Sequence, residues 1–495
     1  MATEVGDAYI LHQILSKSRF LLPSSLQNFK ITSPLDVLVT LLETHVGLDT
    51  FSAKSLLCIY LAYLFAVLRR MLPSAVLKHL FDITLGLYYG FFISGKAVLI
   101  SISMAIVTYL LSACFPRKSI WSVLFNFAVL SAYHMYSMVF QAQLCLDGTL
   151  MIQCLKCSAY AMDRADGTRD KTELSDERKK SRLDFTATPI EFFGYIYFFP
   201  AFLAGPFFDM RTYLDGTYGL DASGQPLKSP LWILPLRKAL TGTMCAGIVV
   251  LAKSFPLAYM GSPELASHSF IYRAVYVWSA VQLYRFKFYF AWYNAEGASM
   301  AAGYGYNGVD KRTGKDRWDG FRNADIVGVD MASNFREATA RWNTSVAGWL
   351  GRYVYKRMTP LGAKPSEWNT VATFLVSALW HGFYPGYYLF FIHGFMWTFI
   401  GRELRRRVRP HFVVYDEKGD EVGQRPLKKV YDITGRIITS VGLQYIGASF
   451  ALLNWYPALL CWRSLFFTGH AGAFILYLIT KLPVWRRPPK PKKTV

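Results

Sequence analysis

The sequence has few charged residues, since Asp, Glu, Lys and Arg make up 18% of its 495 residues. Hydrophobic residues make up 53% of the chain and aromatic residues 16%. An ordinary soluble domain carries about 25% charged residues. This composition excludes intrinsic disorder and ordinary cytosolic globularity, and it is typical of a chain that lies largely in a lipid bilayer.

Acidic residues are scarcer than basic ones, 33 against 54, which gives a net charge of +21. In a soluble protein this excess would suggest nucleic-acid binding. Here the Lys and Arg residues lie in short stretches between apolar runs, and the sequence has no recognised nucleic-acid motif. The tendency of cytosolic loops of membrane proteins to be basic explains the charge better. We therefore expect the lipid bilayer, and not a nucleic acid, as a partner.

Motifs of several enzyme classes are missing. One CxxC pair, Cys154–Cys157, has no second pair to complete a zinc site. No HEXXH or GxSxG motif is present, which argues against a zinc peptidase and a serine hydrolase. A GxGxxG spacing over residues 303–308 has no βαβ unit around it, so it does not indicate a dinucleotide site. The sequence predicts no metal site.

Long uncharged runs are abundant, and a helix needs roughly 20 apolar residues to cross about 30 Å of hydrocarbon. The strongest runs are Ala97–Phe115, Ser119–Leu146, Phe192–Phe208, Ile437–Trp462 and Ser464–Thr480. With weaker runs that begin near Ser55, Ala75, Ala239 and Ala274, they predict about nine to eleven spans. The expected fold is an all-α, polytopic integral membrane protein, with residues 1–495 forming a single multi-pass domain.

Two basic segments indicate the orientation. Residues 402–429 hold nine Lys and Arg, and residues 481–495 hold six and no acid. Two predicted spans separate these segments, so they lie on the same side, and their charge places both in the cytosol. The Lys492–Lys493 pair resembles the dilysine signal that retrieves membrane proteins to the endoplasmic reticulum. We expect a multi-pass protein of that membrane with a cytosolic C-terminus.

The run from Trp368 to Gly401 has 34 residues without Asp, Glu, Lys or Arg. As one helix it would be about 51 Å long, too long for one upright span and too short for two. Pro385–Gly386 in its middle predicts a break. Broken or re-entrant helices are tolerated in a membrane only where protein buries them or where they line a cavity.

His381 and His393 lie inside this run, and an ionisable residue in a membrane segment is a functional hypothesis by default. A neutral imidazole can take a proton from an alcohol near neutral pH, which suits a general base. Buried histidines are also commonly structural. The two residues alone leave both interpretations open.

A second polar residue, Asn343, stands next to a stripe of large apolar residues. The stripe recurs at helical spacing and comprises Trp342, Val346, Trp349, Leu350 and Tyr353. With its basic neighbours it predicts an amphipathic helix at the cytosolic interface. The amide of Asn343 could hydrogen-bond a carbonyl, orient a nucleophile or cap a helix.

Several ordered blocks carry a family resemblance. Residues 380–391 read WHGFYPGYYLFF and fit the pattern WHGxxxGYxxxF, and residues 342–357 fit WNxxxxxWLxxxVYxR. Glu296–Gly297 and residues 305–308, GYNG, are similar to a central motif of the same proteins. The chain resembles the membrane-bound O-acyltransferase (MBOAT) family, in particular the fungal-type members of its lysophospholipid acyltransferase branch. The motif-bearing core covers residues 147–391.

The resemblance implies a helical bundle with an internal tunnel. It implies transfer of a fatty acyl group from acyl-CoA to the free hydroxyl of a lysophospholipid, the remodelling reaction of the Lands cycle. The family's essential histidine and its paired asparagine correspond to His381, the general base, and Asn343, which orients or stabilises the reacting group. No permanently bound cofactor is implied. Acyl-CoA and a lysophospholipid are the expected partners, and a homo-oligomer stays open.

The resemblance also marks residues around the two polar side chains. Substrate contacts are expected from Trp342, Trp380, Tyr387, Tyr388, Asn307 and Glu296. The phosphates of acyl-CoA are expected to bind the nearest cytosolic cations, which are Arg352, Lys356 and Arg357.

Other functions remain as alternatives. Another branch of the same family acylates a protein or a sterol, although the blocks around Asn343 and residues 305–308 favour the lysolipid branch. A polytopic transporter also uses broken helices with polar residues inside the membrane. The sequence shows no internal repeat that would support a transporter. A non-catalytic scaffold has no evident use for both polar residues.

Overall fold

The computed structural model describes residues 33–140, 144–221, 224–416 and 421–485, and these residues are mainly helical. Within these ranges the sheet structure is one antiparallel hairpin of β1 (Val413–Tyr415) and β2 (Glu421–Gln424). The predicted all-α fold is confirmed. The Lys492–Lys493 pair lies outside the described residues.

The described residues form two compact units, one within residues 33–228 together with 301–303 and one within residues 229–300 and 304–485. The expected single multi-pass domain over residues 1–495 stays a prediction. The boundaries of its motif-bearing core and the cytosolic side of its two basic segments also stay predictions.

The first unit consists of ten α-helices in the described residues. They are α1 (Asp36–Val46), α2 (Thr50–Met71), α3 (Ala75–Ser94), α4 (Val98–Cys114), α5 (Ser119–Phe140), α6 (Asp147–Gly167), α7 (Asp176–Ser181), α8 (Pro189–Ile196), α9 (Phe199–Phe202) and α10 (Met210–Tyr218). A 3-10 turn at Gly95–Ala97 joins α3 to α4. Side chains of Asp49 and Ser74 cap the amino ends of α2 and α3, as is typical of short polar residues at helix starts.

The apolar run Phe192–Phe208 does not form one continuous helix long enough to span a membrane, which corrects the prediction. It forms the short helices α8 and α9 and then an irregular segment. Pro200 stands in the first turn of α9, where a proline is tolerated because the amide there needs no helical acceptor. Phe192, Phe199 and their neighbours are buried inside the first unit. The run is apolar because it fills a protein core, and not because it contacts lipid.

A buried ion pair connects three helices of the first unit. The Arg69 guanidinium on α2 contacts the Asp82 carboxylate on α3 at 2.8 Å, and both side chains are almost fully buried. The Tyr213 hydroxyl on α10 donates to the same carboxylate at 2.8 Å, and Arg69 also donates to Thr217 at 3.0 Å. Each charge therefore has several partners, as a buried ion pair requires.

The second unit contains twelve α-helices in the described residues. They are α11 (Ile233–Ala252), α12 (Pro263–Ser267), α13 (Phe270–Tyr284), α14 (Phe286–Ala301), α15 (Ile326–Asp330), α16 (Phe335–Thr339), α17 (Thr344–Leu350), α18 (Glu367–His381), α19 (Pro385–Arg407), α20 (Lys428–Leu452), α21 (Trp455–Ser464) and α22 (Thr468–Lys481). A π-helical turn, Gly351–Tyr355, continues α17. The hairpin of β1 and β2 lies between α19 and α20, within the basic segment 402–429.

The break predicted in the run from Trp368 to Gly401 is confirmed. Helix α18 ends at His381, and Gly382 follows with a φ of +114°, a value that favours glycine. Pro385 then occupies the first position of α19, where its fixed φ suits a helix start. The sequence therefore ends one helix at His381 and begins the next at Pro385, four residues later.

Four helical stretches of the described residues are long and apolar enough to cross a bilayer: Thr50–Met71, Ala75–Cys114, Ser119–Phe140 and Ile233–Ala252. Helices α21 and α22, bent by 73°, add a fifth if they count as one span. The multi-pass class is confirmed, with fewer qualifying helices than the predicted number of about nine to eleven. The number is lower because Ala75–Cys114 counts once and Phe192–Phe208 fills a core. In addition, long helices such as α20 begin with charged turns.

The ion pair of Arg69 and Asp82 gives a stability prediction. Replacing Asp82→Ala leaves a buried guanidinium without its counter-ion, and we expect a loss of about 3–5 kcal/mol in the free energy of unfolding. Asp176→Ala is the matched control, because it removes an ion pair with Lys179 in which Asp176 is 88% exposed. Thermal unfolding of the detergent-solubilised protein measures both variants. Equal melting temperatures for the two variants would contradict the role of the buried pair.

Candidate active site

A cavity of about 460 Å³ lies within the second unit. Both His381 and Asn343 line it, although they are 38 residues apart in the sequence. Most of the remaining wall is aromatic or aliphatic, with contributions from helices α13 to α20. A largely apolar cavity with a few polar groups is the usual form of a small-molecule site.

Asn343 lies at the start of α17 with a φ of +46° and a ψ of 51°, in the left-handed region. Asparagine adopts this region more readily than most residues, but it still costs roughly 1–2 kcal/mol and persists only where the surroundings hold it. The side chain makes no capping hydrogen bond to its helix. The amide therefore remains available to a ligand in the cavity that it lines.

The segment 322–325 runs beside Asn343 and holds the backbone on both sides of it. The Thr344 amide donates to the Asn323 carbonyl at 2.8 Å, and the Ser345 amide donates to Asn323 Oδ1 at 3.0 Å. On the other side, the Asp325 amide donates to the Arg341 carbonyl at 3.0 Å. We call this set of hydrogen bonds the Asn343 clasp, and it explains how the left-handed turn is maintained.

Glu296 on α14 supports the Asn343 clasp from behind. Its carboxylate is 2% exposed, accepts a hydrogen bond from the Asn323 amide at 2.5 Å and pairs with Lys238. Glu296 does not line the cavity in the described part of the chain. Both carboxylate oxygens are used within the protein, and the expected substrate contact by Glu296 stays a prediction.

His381 lies in a box of aromatic rings. The centroid of its ring is 4.7 Å from Trp380, 5.5 Å from Tyr387, 5.4 Å from Phe391 and 5.1 Å from Phe450. All of these residues except Tyr387 also line the cavity. Packing by rings on several sides fixes the orientation of the imidazole, which a residue that transfers a proton needs.

The other expected substrate contacts divide into two groups. Trp342 and Trp380 line the cavity, and the Trp342 ring packs on those of Phe288, Tyr289 and Trp292 at 5.0–5.9 Å. The residues that do not line the cavity in the described part of the chain are Tyr387, Tyr388 and Asn307. The Asn307 amide group instead donates to Asp319 at 2.8 Å in an exposed loop.

The expected cations for acyl-CoA follow α17. Arg352 and Arg357 both pack over the ring of Tyr353, and neither they nor Lys356 line the cavity in the described ranges. Two other arginines, Arg285 and Arg336, do line it. Sequence reasoning missed them, although Arg285 was detectable as a charge within an aromatic stretch, two residues before Lys287.

The apolar stripe around Asn343 differs from the predicted interfacial helix. The helix begins at Thr344, after the left-handed residue, so Trp342 is not part of it. Val346, Trp349 and Tyr353 are at most 5% exposed within the protein. The stripe therefore packs into the second unit and positions Asn343, whereas the sequence predicted contact with the membrane surface.

His393 has a different environment from His381. Its Nδ1 lies 2.6 Å from the Leu389 carbonyl, and its Nε2 lies 2.8 Å from Nε2 of His470, whose Nδ1 is 2.7 Å from the Tyr445 hydroxyl. This series of hydrogen-bonded side chains packs against Trp462 in an apolar core of the second unit. His393 does not line the cavity in the described residues. No three His, Cys, Asp or Glu side chains of those residues converge to hold a metal ion.

The Asn343 clasp predicts which asparagine matters for stability. Asn323→Ala removes the acceptor of the Ser345 amide at the start of α17, and loss of such a cap costs about 0.5–2 kcal/mol. Asn307→Ala is the control, because it removes an exposed hydrogen bond outside the Asn343 clasp and should change stability by less than about 0.5 kcal/mol. Thermal unfolding of the two variants measures the difference. If Asn323→Ala unfolds at the parent temperature, the hydrogen bond from the Ser345 amide to the Asn323 side chain contributes nothing to stability.

Comparisons with known proteins address the family. A sequence profile of "MBOAT, membrane-bound O-acyltransferase family" matches residues 131–422. The chain is 31% identical over 474 residues to the lysophospholipid acyltransferase of Schizosaccharomyces pombe, covering 92% of this chain and 91% of that protein. It is 31% identical over 486 residues to the lysophospholipid acyltransferase of Saccharomyces cerevisiae, covering 90% and 77%. It is 28% identical over 463 residues to lysophospholipid acyltransferase 5 of Homo sapiens, covering 91% and 92%.

The profile matches more than half of the chain, and the two fungal relatives exceed 30% identity over nine-tenths of it. The family predicted from the sequence motifs is therefore confirmed. The non-enzymatic transporter and scaffold alternatives are wrong. The chain belongs to the membrane-bound O-acyltransferase family and is an acyltransferase.

Proposed function

We propose that this protein transfers a fatty acyl group from acyl-CoA to the free hydroxyl of a lysophospholipid, with His381 as general base and Asn343 as the orienting amide. The observation that carries the proposal is that both side chains line one largely apolar cavity. An acyl thioester is already activated, so the enzyme has to deprotonate the alcohol and stabilise the oxyanion that forms. An imidazole and an amide provide these two functions.

In the proposed step, His381 takes the proton of the lysophospholipid hydroxyl as its oxygen attacks the thioester carbonyl carbon. The C–O bond forms, the oxyanion accepts a hydrogen bond from the Asn343 amide, and the C–S bond then breaks. The proton passes from His381 to the thiolate of CoA. The products are a diacyl phospholipid and free CoA, and no covalent acyl-enzyme is needed.

The wall of the cavity suits two lipid chains. Phe288, Trp342, Phe374 and Phe391 contribute rings to it, and aromatic side chains offer a large apolar area for alkyl chains. Because this wall excludes water from the cavity, it strengthens the hydrogen bonds to the reacting atoms and protects the thioester from hydrolysis. Trp342 and Trp380 are the substrate contacts that this geometry favours.

The phosphates of acyl-CoA require cations at a water-accessible position. We assign this role to Arg352, Lys356 and Arg357, which follow the helix that Asn343 begins. Arg336 joins them as an exposed arginine that lines the cavity and forms no ion pair with the described residues. An oligomer is not needed for any of these roles.

We further propose that the protein resides in the endoplasmic reticulum membrane with its basic C-terminal segment in the cytosol, where acyl-CoA is found. The charge of residues 402–429 and 481–495 supports this orientation through the positive-inside rule. The alternative acceptors within the family are a protein or a sterol. The similarity to lysophospholipid acyltransferases of two fungi and of Homo sapiens favours a lysophospholipid.

His381→Ala tests the proposed base. Loss of general-base catalysis lowers a rate by about 10²–10⁴-fold, so the variant should form almost no product. Microsomes with equal amounts of parent or variant protein receive labelled oleoyl-CoA and a panel of lysophospholipids that differ only in head group. The control is His268→Ala, which replaces an exposed histidine of the same unit and should retain parental activity.

Each result of this panel has a definite meaning. Parental activity in His381→Ala would remove His381 from catalysis. Absence of product from every lysophospholipid with the parent protein would overturn the proposed acceptor and direct the search to proteins and sterols.

The variants Asn343→Gly and Asn343→Ala distinguish the role of the side-chain amide from that of the left-handed backbone conformation. Glycine adopts the left-handed conformation freely, whereas alanine does not. If the amide stabilises the oxyanion, both variants should lose about 10²–10³-fold in kcat, and only Asn343→Ala should also unfold at a lower temperature. An active Asn343→Gly enzyme would show that this position serves the backbone turn alone.

A further inference from the structure

Arg285 and Gln444 are two buried polar residues in the cavity wall that the proposed chemistry does not use. Arg285 joins α13 to α14, and Gln444 lies on α20. They are 7% and 2% exposed, yet both line the cavity beside Trp342. The Arg285 guanidinium carbon lies 5.9 Å from the centroid of the Trp342 ring.

One end of the Arg285 side chain is fixed within the protein. Its Nη2 donates to the Asp330 carboxylate at 2.5 Å and to the Gln282 side-chain oxygen. Gln282 in turn donates to Asp330 at 3.1 Å and accepts from Gln444 Nε2 at 2.7 Å. The four side chains form one network, so neither Arg285 nor Gln444 can turn away from the cavity without breaking it.

The remaining polar atoms of Arg285 and Gln444 have no hydrogen-bond partner among the described residues. Arg285 Nε and Nη1 are buried without an acceptor, and Gln444 Oε1 is buried without a donor. Nε carries one N–H bond and Nη1 carries two, so three of the five guanidinium N–H bonds are unused. Buried polar groups in folded proteins are almost always paired, and unpaired ones are costly. An arrangement that leaves donors and an acceptor unused together in a cavity wall indicates a polar ligand.

We propose that Arg285 and Gln444 form the head-group subsite of the cavity, in which Arg285 binds the phosphate oxygens of the lysophospholipid acceptor. Gln444 Oε1 accepts a hydrogen bond from a hydroxyl or N–H group of the same molecule. This inference rests on the proposed function. It assigns to the acceptor a phosphate-binding residue that lies inside the cavity wall.

Charge and burial favour the acceptor over acyl-CoA as the source of the phosphate. Asp330 already balances part of the Arg285 charge, which suits the single negative charge of a phosphodiester. Acyl-CoA carries several phosphate charges and needs cations in contact with water, as Arg336 is. An arginine that is only 7% exposed, with its guanidinium beside a tryptophan ring, is poorly suited to that larger anion.

The test measures binding without turnover, in the full-length His381→Ala protein purified in an uncharged detergent. The probes are labelled lysophosphatidylcholine, a monoacylglycerol with the same chain and no phosphate, and a non-reactive thioether analogue of acyl-CoA. The test variant adds Arg285→Gln with Asp330→Asn, which removes both charges and keeps two hydrogen-bonding side chains. The matched control makes the same changes at the exposed pair Arg317 and Asp319.

We expect the Arg285→Gln, Asp330→Asn protein to bind lysophosphatidylcholine about 10- to 100-fold more weakly, the loss expected for a hydrogen bond to a charged group. Its Kd values for the monoacylglycerol and the thioether should remain at the parental level. The control protein should bind all three probes as the parent does. Weaker binding of the thioether with lysophosphatidylcholine unaffected would overturn the proposal in favour of a donor site.

The parent protein alone provides a second test that does not depend on the folding of a variant. It should bind lysophosphatidylcholine at least about tenfold more tightly than the monoacylglycerol, and equal affinities would overturn the subsite. Binding is measured separately from transfer, so the two proposals fail in different ways. If the phosphate preference is found and no lysophospholipid is acylated, the subsite stands and the proposed reaction fails.

Discussion

The cavity depends on two interruptions of helical backbone in apolar surroundings. An unpaired backbone amide or carbonyl costs several kcal/mol in hydrocarbon, so a helix is interrupted there only where protein supplies the missing partners. His381 ends α18 directly before Gly382, and Asn343 begins α17 in a left-handed conformation. Each polar side chain therefore projects from a helix end, where regular side-chain packing stops and a ligand can approach.

The free-energy cost of the left-handed turn at Asn343 is offset by hydrogen bonds to polar residues that lie outside the cavity. Asn323 accepts hydrogen bonds from two successive amides after Asn343, and Glu296 holds the Asn323 amide in turn. These residues resemble catalytic residues in the sequence, because they are polar and lie in or near the recognisable motifs. Their contacts show that they support the turn at Asn343 through hydrogen bonds within the protein.

Much of this architecture could be predicted from the sequence, and the limits have physical causes. The motif around His381 and the one around Asn343 identified the two polar residues that share the cavity. The proline and glycine after His381 predicted the helix break, because they act on the local backbone. The role of Glu296 could not be predicted in this way, since it depends on Lys238 and Asn323, which are distant in the sequence and contribute no local pattern.

Hydropathy identified apolar segments without identifying what covers them. The Phe192–Phe208 run and the stripe of Val346 and Trp349 are as apolar as a lipid-facing surface, but both are buried within their own units. Transfer of a ring out of water is favourable both into lipid and into a protein core. Only the three-dimensional packing distinguishes a lipid-facing segment from a core segment. For this reason the sequence predicted more membrane spans than the structure has helices long and apolar enough to cross a bilayer.

Polar residues in apolar surroundings need a further criterion before they indicate function, and the balance of donors and acceptors supplies one. For neutral rings, His393 donates from Nδ1 to the Leu389 carbonyl and accepts at Nε2 from His470, which accepts at Nδ1 from the Tyr445 hydroxyl. Every ring nitrogen of this series of side chains has a hydrogen-bond partner, so the series is a structural connection between helices. Arg285 and Gln444 form an equally buried network and retain unused groups beside the cavity. The difference lies in the hydrogen bonds that remain to be made, and it separates a completed structural network from a binding site.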